Sequence, residues 1–320
     1  MITRHNCTQE KETWQILITN MMKYLVSTLL LWNQCLVFLG LLLLLPAYAI
    51  IGGSPTGNPP DSPALRTDPN LIASPWTGVG SISIGNGVFS GVLISPHHVL
   101  TAAHVVAGQH LSNIVFNLNA GSDLSHRLPA ARIFIHPNYA TIKPTADSIN
   151  HNDLAVIELA EAAPAGVPIY PILMQSIPLG TIITFVGYGA GGDGLQGVTV
   201  RSTASIKRVG ANRVEQLLPS NTAAAQQDVY LFRFDNPART DLQYSDALGN
   251  NVAATLAYGD SGSPVFVKIP LGGWHLVGVN TFVMRLPKGP ENRQKFGNGG
   301  GGMLLYPQLT WIKSLIHSTH

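Results

Sequence analysis

Short β-forming runs, each ended by glycine, proline or asparagine, follow one another at regular intervals along this chain. They lie at residues 78–84, 88–94, 114–118, 131–136, 154–159, 181–187, 198–209, 229–234, 263–268 and 275–282. Short strands at such spacing are typical of β-barrels and β-sandwiches. The 32 glycines and 22 prolines among 320 residues fit a chain with many turns. The sequence therefore predicts an all-β fold rather than a helical one.

Three other segments lie before, between and after these β-forming runs. Residues 310–318 predict a short closing helix, because their apolar residues recur at helical spacing. Those apolar residues are Trp311, Ile312, Leu315 and Ile316. Residues 54–75, rich in proline, aspartate and asparagine, are expected to form an irregular surface arm, and prolines and glycines at 161–178 indicate a linker. We therefore expect three parts, at residues 1–49, 50–165 and 166–320.

The N-terminal part has the pattern of an export signal. Lys23 precedes an apolar run over residues 25–45, and Pro46-Ala47-Tyr48-Ala49 supplies a small-x-small ending. We expect cleavage after Ala49. The alternative is an uncleaved membrane anchor, because roughly 20 apolar residues can span a bilayer. Cleavage would leave a chain without cysteine, since Cys7 and Cys35 both precede residue 50. Disulfides, cysteine nucleophiles and thiolate zinc sites are then excluded.

The composition of the chain argues against nucleic acid, metals and cofactors as partners. Nineteen Lys and Arg residues against seventeen Asp and Glu give a formal net charge of +2, with no basic cluster. Nucleic-acid binding is therefore not expected. No spaced set of oxygen ligands is present, so the sequence predicts no metal and no cofactor.

Three strings of residues carry the candidate chemistry. They are Leu-Thr-Ala-Ala-His at 100–104, His-Asn-Asp-Leu-Ala-Val at 151–156 and Gly-Asp-Ser-Gly-Ser-Pro at 259–264. In this order they resemble the His, Asp and Ser motifs of the trypsin-like, chymotrypsin-fold serine peptidases. Further matching segments lie at 89–94, 136–139 and 187–189. The resemblance covers essentially all of the chain after residue 49.

The resemblance implies a fold and an activity. The fold would be all-β, with two six-stranded antiparallel β-barrels and a short C-terminal helix. The first barrel would carry His104 and Asp153, and the second would carry Ser261 and the specificity pocket. The expected activity is hydrolysis of protein or peptide substrates through an acyl-enzyme. A membrane would be involved only through an uncleaved signal segment.

Each catalytic residue has a defined chemical task. A serine hydroxyl is a poor nucleophile at neutral pH, so His104 would take the proton of Ser261 and return it to the leaving amine. Asp153 would fix the histidine tautomer and stabilise the imidazolium. The backbone amides of Gly259 and Ser261 would form the oxyanion hole.

The resemblance also implies an activation device. In this family a free N-terminal isoleucine, followed by an aliphatic residue and two glycines, pairs with the Asp before the nucleophile. Ile50-Ile51-Gly52-Gly53 fits that pattern, and Asp260 would be the partner. Cleavage after Ala49 would itself expose Ile50, so signal removal would activate the enzyme.

The expected specificity pocket departs from that of tryptic enzymes. Its base would be Thr255, without a carboxylate to hold Arg or Lys, and its walls would include Thr281, Phe282 and Val283. Val283 stands where open pockets have glycine, so we expect cleavage after small or medium uncharged residues. Asn280 stands where glutamyl endopeptidases use a histidine, which argues against cleavage after Glu. The absence of cysteine resembles the bacterial members of the family.

Two rival functions remain open from the sequence. A trypsin-like binding module without activity is the first, although such proteins usually lose a catalytic residue. An esterase or lipase on another fold is the second. Those enzymes place Ser within Gly-x-Ser-x-Gly and His last, whereas here His104 precedes Ser261.

Overall fold

The structure is a computed structural model, and it describes residues 50–139, 149–219, 226–238 and 248–317. The predicted export signal lies outside these residues. The strands are β1 (Ile50–Gly52), β2 (Thr67–Asp68), β3 (Val79–Ile84), β4 (Gly87–Ser95), β5 (His98–Thr101), β6 (Ile114–Leu118), β7 (His126–Ile135), β8 (Ala155–Leu159), β9 (Ile182–Gly187), β10 (Gly191–Asp193), β11 (Gly197–Val200), β12 (Lys207–Arg213), β13 (Gln216–Pro219), β14 (Gln227–Phe234), β15 (Pro264–Ile269), β16 (Gly273–Met284) and β17 (Asn298–Leu304). The α-helices are α1 (Ala103–Val106) and α2 (Leu309–His317), and 3₁₀ turns lie at Pro63–Arg66, Leu111–Asn113 and Tyr306–Gln308. Within the described ranges, no helix has the length and apolar character needed to cross a bilayer.

The first half of the chain forms a closed antiparallel β-barrel, as predicted. Its strands follow the order β3-β4-β5-β8-β7-β6. Alternate residues of these strands point inward, so that Ile82, Leu93, Val99, Phe116 and Ile157 fill the barrel. The four-residue strand β5 was missed by the sequence reading, and it is the strand that leads directly into α1.

The second half forms an eight-stranded sheet in the order β13-β14-β17-β16-β15-β9-β12-β2. Its core includes Phe185 and Phe232, whose rings stack with centroids 5.7 Å apart. The predicted strand at 198–209 is divided between β11 and β12. A second closed barrel is not formed by the described residues, so that part of the fold prediction is not confirmed. The boundary at residues 165 and 166 also stays a prediction.

The glycine run near the C-terminus is a strand rather than a low-complexity tract. Gly299–Gly302 belong to β17, between β14 and β16. A Cβ on Gly302 would lie 1.9 Å from the Val279 carbonyl oxygen, and one on Gly299 would lie 2.2 Å from that of Phe232. Glycine is used here because the neighbouring strands approach too closely for side chains.

The arm before the first barrel is partly buried, which corrects the expectation of an irregular surface segment. β1 runs parallel to β10, and β2 pairs with β12, so the arm joins strands of the second half. Asp61 and Arg66 form a buried ion pair. Arg66 also donates to the carbonyls of Val252 and Ala253, each at 3.0 Å. The two charges are tolerated inside the protein because each is paired and hydrogen-bonded.

Candidate active site

His104 and Asp153 form a close pair beside the end of β5. Asp153 Oδ1 accepts a hydrogen bond from the His104 backbone N–H at 2.9 Å, and Oδ2 lies 2.6 Å from Nδ1. The carboxylate is buried, with 3% of its side chain exposed, whereas the imidazole is 32% exposed. Because Nδ1 is held by Asp153, Nε2 is the ring nitrogen that remains to exchange a proton with a substrate or nucleophile.

The loop that carries Asp153 contacts both halves of the chain, through His104 in the first half and through Asp228 in the second. Asn152 has a φ of 58°, a left-handed conformation that asparagine tolerates better than most residues. His151 Nδ1 lies 3.1 Å from the buried Oδ2 of Asp228 on β14. Burial and, to a smaller extent, the charge of Asp153 raise the pKa of Tyr139. The sequence reading missed the contact of His151 with Asp228, because the two residues lie far apart along the chain.

A tight turn presents Ser261. Gly259 and Gly262 have φ angles of 96° and 82°, which glycine adopts without strain. A Cβ on Gly262 would lie 2.1 Å from Thr101 Oγ1, so only glycine lets the turn approach the strand that leads to His104. Ser261 itself is partly exposed. Its hydroxyl makes no hydrogen bond among the described residues, and such contacts are often long in unliganded enzymes.

Two backbone amides are available beside Ser261. Within the described part of the chain, neither the Gly259 nor the Ser261 N–H donates a hydrogen bond to the protein. The loop is instead held through its carbonyls by Ser90 of β4. Ser90 N donates to the Ser261 carbonyl at 3.0 Å, and Ser90 Oγ donates to the Gly259 carbonyl at 3.0 Å. Sequence reasoning placed Ser90 in a matching segment but assigned it no role.

Asp260 is buried beneath the turn. Its carboxylate accepts hydrogen bonds from the N–H groups of Gly189 and Ala257, both at 2.9 Å, and from that of Ile50. Burial raises its pKa to about 7. Ile50 is fully buried on β1. The structure thus brings together the two residues of the predicted activation pair, with Ile50 bonding through a peptide nitrogen of the full-length chain.

The predicted pocket residues lie on two segments, one just before Ser261 and the other on β16. Thr255 is fully buried and exchanges backbone hydrogen bonds with Ile51 at 3.1 and 3.0 Å. Thr281 is buried on β16, and Phe282 and Val283 follow it half-buried. The hydroxyls of Thr255 and Thr281 lack hydrogen-bond partners among the residues that the structure describes.

Val283 is anchored against the core of the second half. It pairs across the sheet with Gly300. A Cβ on Gly300 would lie 2.9 Å from the Phe232 ring and 3.2 Å from Leu256, and both of these residues are buried in the core that contains Phe185. Val283 packs against the same core. The sequence did not identify this contact, because nothing in it brings Phe232 near Gly300.

Asn280 is fixed behind the pocket. Its Oδ1 accepts a hydrogen bond from the Tyr230 hydroxyl at 2.6 Å, and its Nδ2 donates to Ser263 Oγ at 2.8 Å. Over the described residues, no three His, Cys, Asp or Glu side chains come together as metal ligands would. The predicted pocket residues Thr255, Thr281, Phe282 and Val283 and the neighbouring Asn280 carry no formal charge.

Comparisons with known proteins found one matching family profile and several similar proteins. Residues 67–297 match the family profile described as Trypsin. Complement C1s subcomponent of Bos taurus is 32% identical over 109 residues, which is 32% of this chain and 14% of that protein. Ovochymase-2 of Mus musculus is 26% identical over 253 residues, 73% of this chain and 37% of the relative. Vitamin K-dependent protein C of Mus musculus is 29% identical over 134 residues, 38% of this chain and 28% of the relative. The chain thus spans well under half the length of each of these relatives.

Proposed function

The chain belongs to the trypsin family, and from that premise we propose that it is a secreted serine endopeptidase with His104, Asp153 and Ser261 as its catalytic triad. The observation that carries the proposal is the pairing of His104 with the buried Asp153 through both carboxylate oxygens. That geometry leaves Nε2 to act as a base. The turn at Ser261 packs against the strand that leads to His104.

Hydrolysis would proceed in two stages. The Ser261 hydroxyl attacks the substrate carbonyl while His104 Nε2 takes its proton, and the imidazolium then protonates the leaving amine. An acyl-enzyme remains on Ser261. Water attacks this ester with His104 again as base, which releases the acid product and regenerates the serine. Asp153 stabilises the imidazolium in both stages.

The oxyanion of each tetrahedral intermediate would bind to the N–H groups of Gly259 and Ser261. Both amides lack partners among the described residues, so no internal hydrogen bond has to break when the oxyanion forms. Removal of one such donor typically lowers the rate by ~100- to 1000-fold.

We expect the substrate preference to follow from the predicted pocket residues. Thr255 at the base and Thr281, Phe282 and Val283 at the walls carry no charge to pair with Arg, Lys or Glu, and the branched side chain of Val283 would make the pocket shallow. Small or medium uncharged residues before the cleaved bond fit this space best.

Maturation would couple export to activity. Cleavage after Ala49 would turn the buried Ile50 nitrogen into an ammonium beside the Asp260 carboxylate. The processed enzyme would then act in a secreted or periplasmic compartment. The cysteine-free chain after residue 49 fits a disulfide-free member of bacterial type.

Hydrolysis of casein and of a peptide library by the purified protein beginning at Ile50, beside Ser261→Ala, tests this proposal. We expect activity in the parent that is lost in the variant, with cleavage after small uncharged residues. A folded but inert parent would favour a trypsin-like binding module. Preferential cleavage after Arg or Glu would contradict the pocket assignment.

A further inference from the structure

Ser90 is a fully buried residue of β4 whose hydroxyl contacts the turn that precedes Ser261. Its Oγ donates to the Gly259 carbonyl at 3.0 Å and accepts a hydrogen bond from the Tyr188 N–H at 2.9 Å. Its own N–H donates to the Ser261 carbonyl at 3.0 Å. One residue of the first barrel therefore holds the carbonyls of both residues whose amides face the proposed oxyanion.

The carbonyl direction matters because it sets the direction of the amides. Gly259 carries its N–H in one peptide plane and its carbonyl in the next, and only its φ and ψ angles join them. Glycine has no Cβ to restrict these angles, and the φ of 96° lies where other residues are strained. A donor that fixes the carbonyl thus restricts the peptide that carries the amide.

We propose that Ser90 is a positioning residue that orients the oxyanion-hole amides of Gly259 and Ser261 through its side chain and backbone. The proposal rests on the function proposed above. Ser90 does not contact the substrate. It acts by holding the turn in the conformation in which both N–H groups can bind the same oxygen.

Ser81 offers a matched control. It lies directly opposite Ser90 in the pairing of β3 with β4, and both residues are fully buried. The Ser81 hydroxyl also donates to a carbonyl of the second half, that of Ala204 at 2.8 Å. The Ala204 carbonyl also accepts a hydrogen bond from Asn119 Nδ2 at 3.0 Å, so Ser81→Ala removes one of its two donors. Ser90→Ala removes the hydroxyl that donates to the Gly259 carbonyl, so only this variant affects the turn that carries Ser261.

The test compares Ser90→Ala and Ser81→Ala in the processed protein. We measure kcat, KM and the affinity of a peptide aldehyde, whose adduct with serine carries an oxyanion. For Ser90→Ala we expect kcat to fall about 10- to 100-fold, with a parallel loss of aldehyde affinity and KM changed less than about twofold. This loss is smaller than that for removing a donor outright. Ser81→Ala should keep the parent kcat and aldehyde affinity, even if its unfolding temperature falls as much.

Hydrogen exchange supplies a readout that does not depend on activity. The segment 257–263 should exchange faster in Ser90→Ala than in Ser81→Ala or in the parent. An inert parent would overturn the proposed function, and the exchange result would still decide the role of Ser90 in ordering the turn. Equal kcat in Ser90→Ala and the parent, equal losses in the two variants, or unchanged exchange would each overturn the positioning role.

Discussion

The pairing of Ile50 with Asp260 predicts that stability depends on pH differently in two forms of the protein. One form begins at Ile50, and the other has further residues before Ile50. When a residue precedes Ile50, its nitrogen is an amide, and burial raises the pKa of Asp260 from 3.8 to about 7. The folded state then holds a proton that the unfolded state has lost, so stability falls as pH rises through this window. The shift of about three pH units corresponds to roughly 3 kcal/mol between pH 4 and pH 7.

Cleavage after Ala49 should remove this dependence of stability on pH. An ammonium at Ile50 favours the ionised carboxylate, which opposes the effect of burial on the pKa of Asp260. We would measure urea unfolding at pH 4, 5, 6 and 7 for the form that starts at Ile50 and for one with two added N-terminal residues. The extended form should lose roughly 3 kcal/mol more of its unfolding free energy than the processed form over that range.

Asp260→Asn supplies the control, because an amide does not titrate. It should abolish the difference in pH dependence between the two forms, although one of the buried N–H groups loses its acceptor. Identical pH profiles for the extended and processed forms would refute the reasoning, as would an extended Asp260→Asn protein that keeps the full dependence.

Three further changes test other contacts. Asp153→Asn should lower kcat by about 10⁴-fold at neutral pH, because the amide no longer stabilises the His104 imidazolium, and parent-like kinetics would exclude the triad. Val283→Gly should raise kcat/KM for a phenylalanine substrate relative to an alanine one by roughly tenfold or more, and an unchanged ratio would place the pocket elsewhere. His151→Ala should lower the free energy of unfolding by roughly 3 kcal/mol, because Asp228 stays buried without its partner, and a double-mutant cycle with Asp228→Ala should recover part of the loss.

Local patterns were enough to predict most of the strands and the closing helix. β6 has the predicted bounds, Ile114–Leu118, and α2 occupies Leu309–His317 against an expected 310–318. β17 was missed because its glycines lack the side chains that mark a strand. The arm was misread because Asp61 and Arg66 are polar residues made compatible with burial by their partners, which lie far away in sequence.

The candidate site also contains some residues that the sequence predicts and others that it does not. The residues His104, Asp153 and Ser261 lie in recognisable strings, and the structure brings His104 and Asp153 into contact. The role of Ser90 could not be predicted from local pattern, because Ser90 contacts the turn at Ser261 from a strand that is distant in sequence. A serine in a strand carries no signal that it will hold a turn of the other half.

Covalent labelling of the nucleophile tests the central claim most directly. The processed protein is incubated with an organophosphonate that reacts with activated serines, and the modified residue is located by mass spectrometry. We expect one adduct per molecule, on Ser261, with loss of activity in proportion to labelling and no adduct in Asp153→Asn over the same time. Activity that survives complete labelling of Ser261, or a folded protein that never reacts at Ser261, would contradict the account.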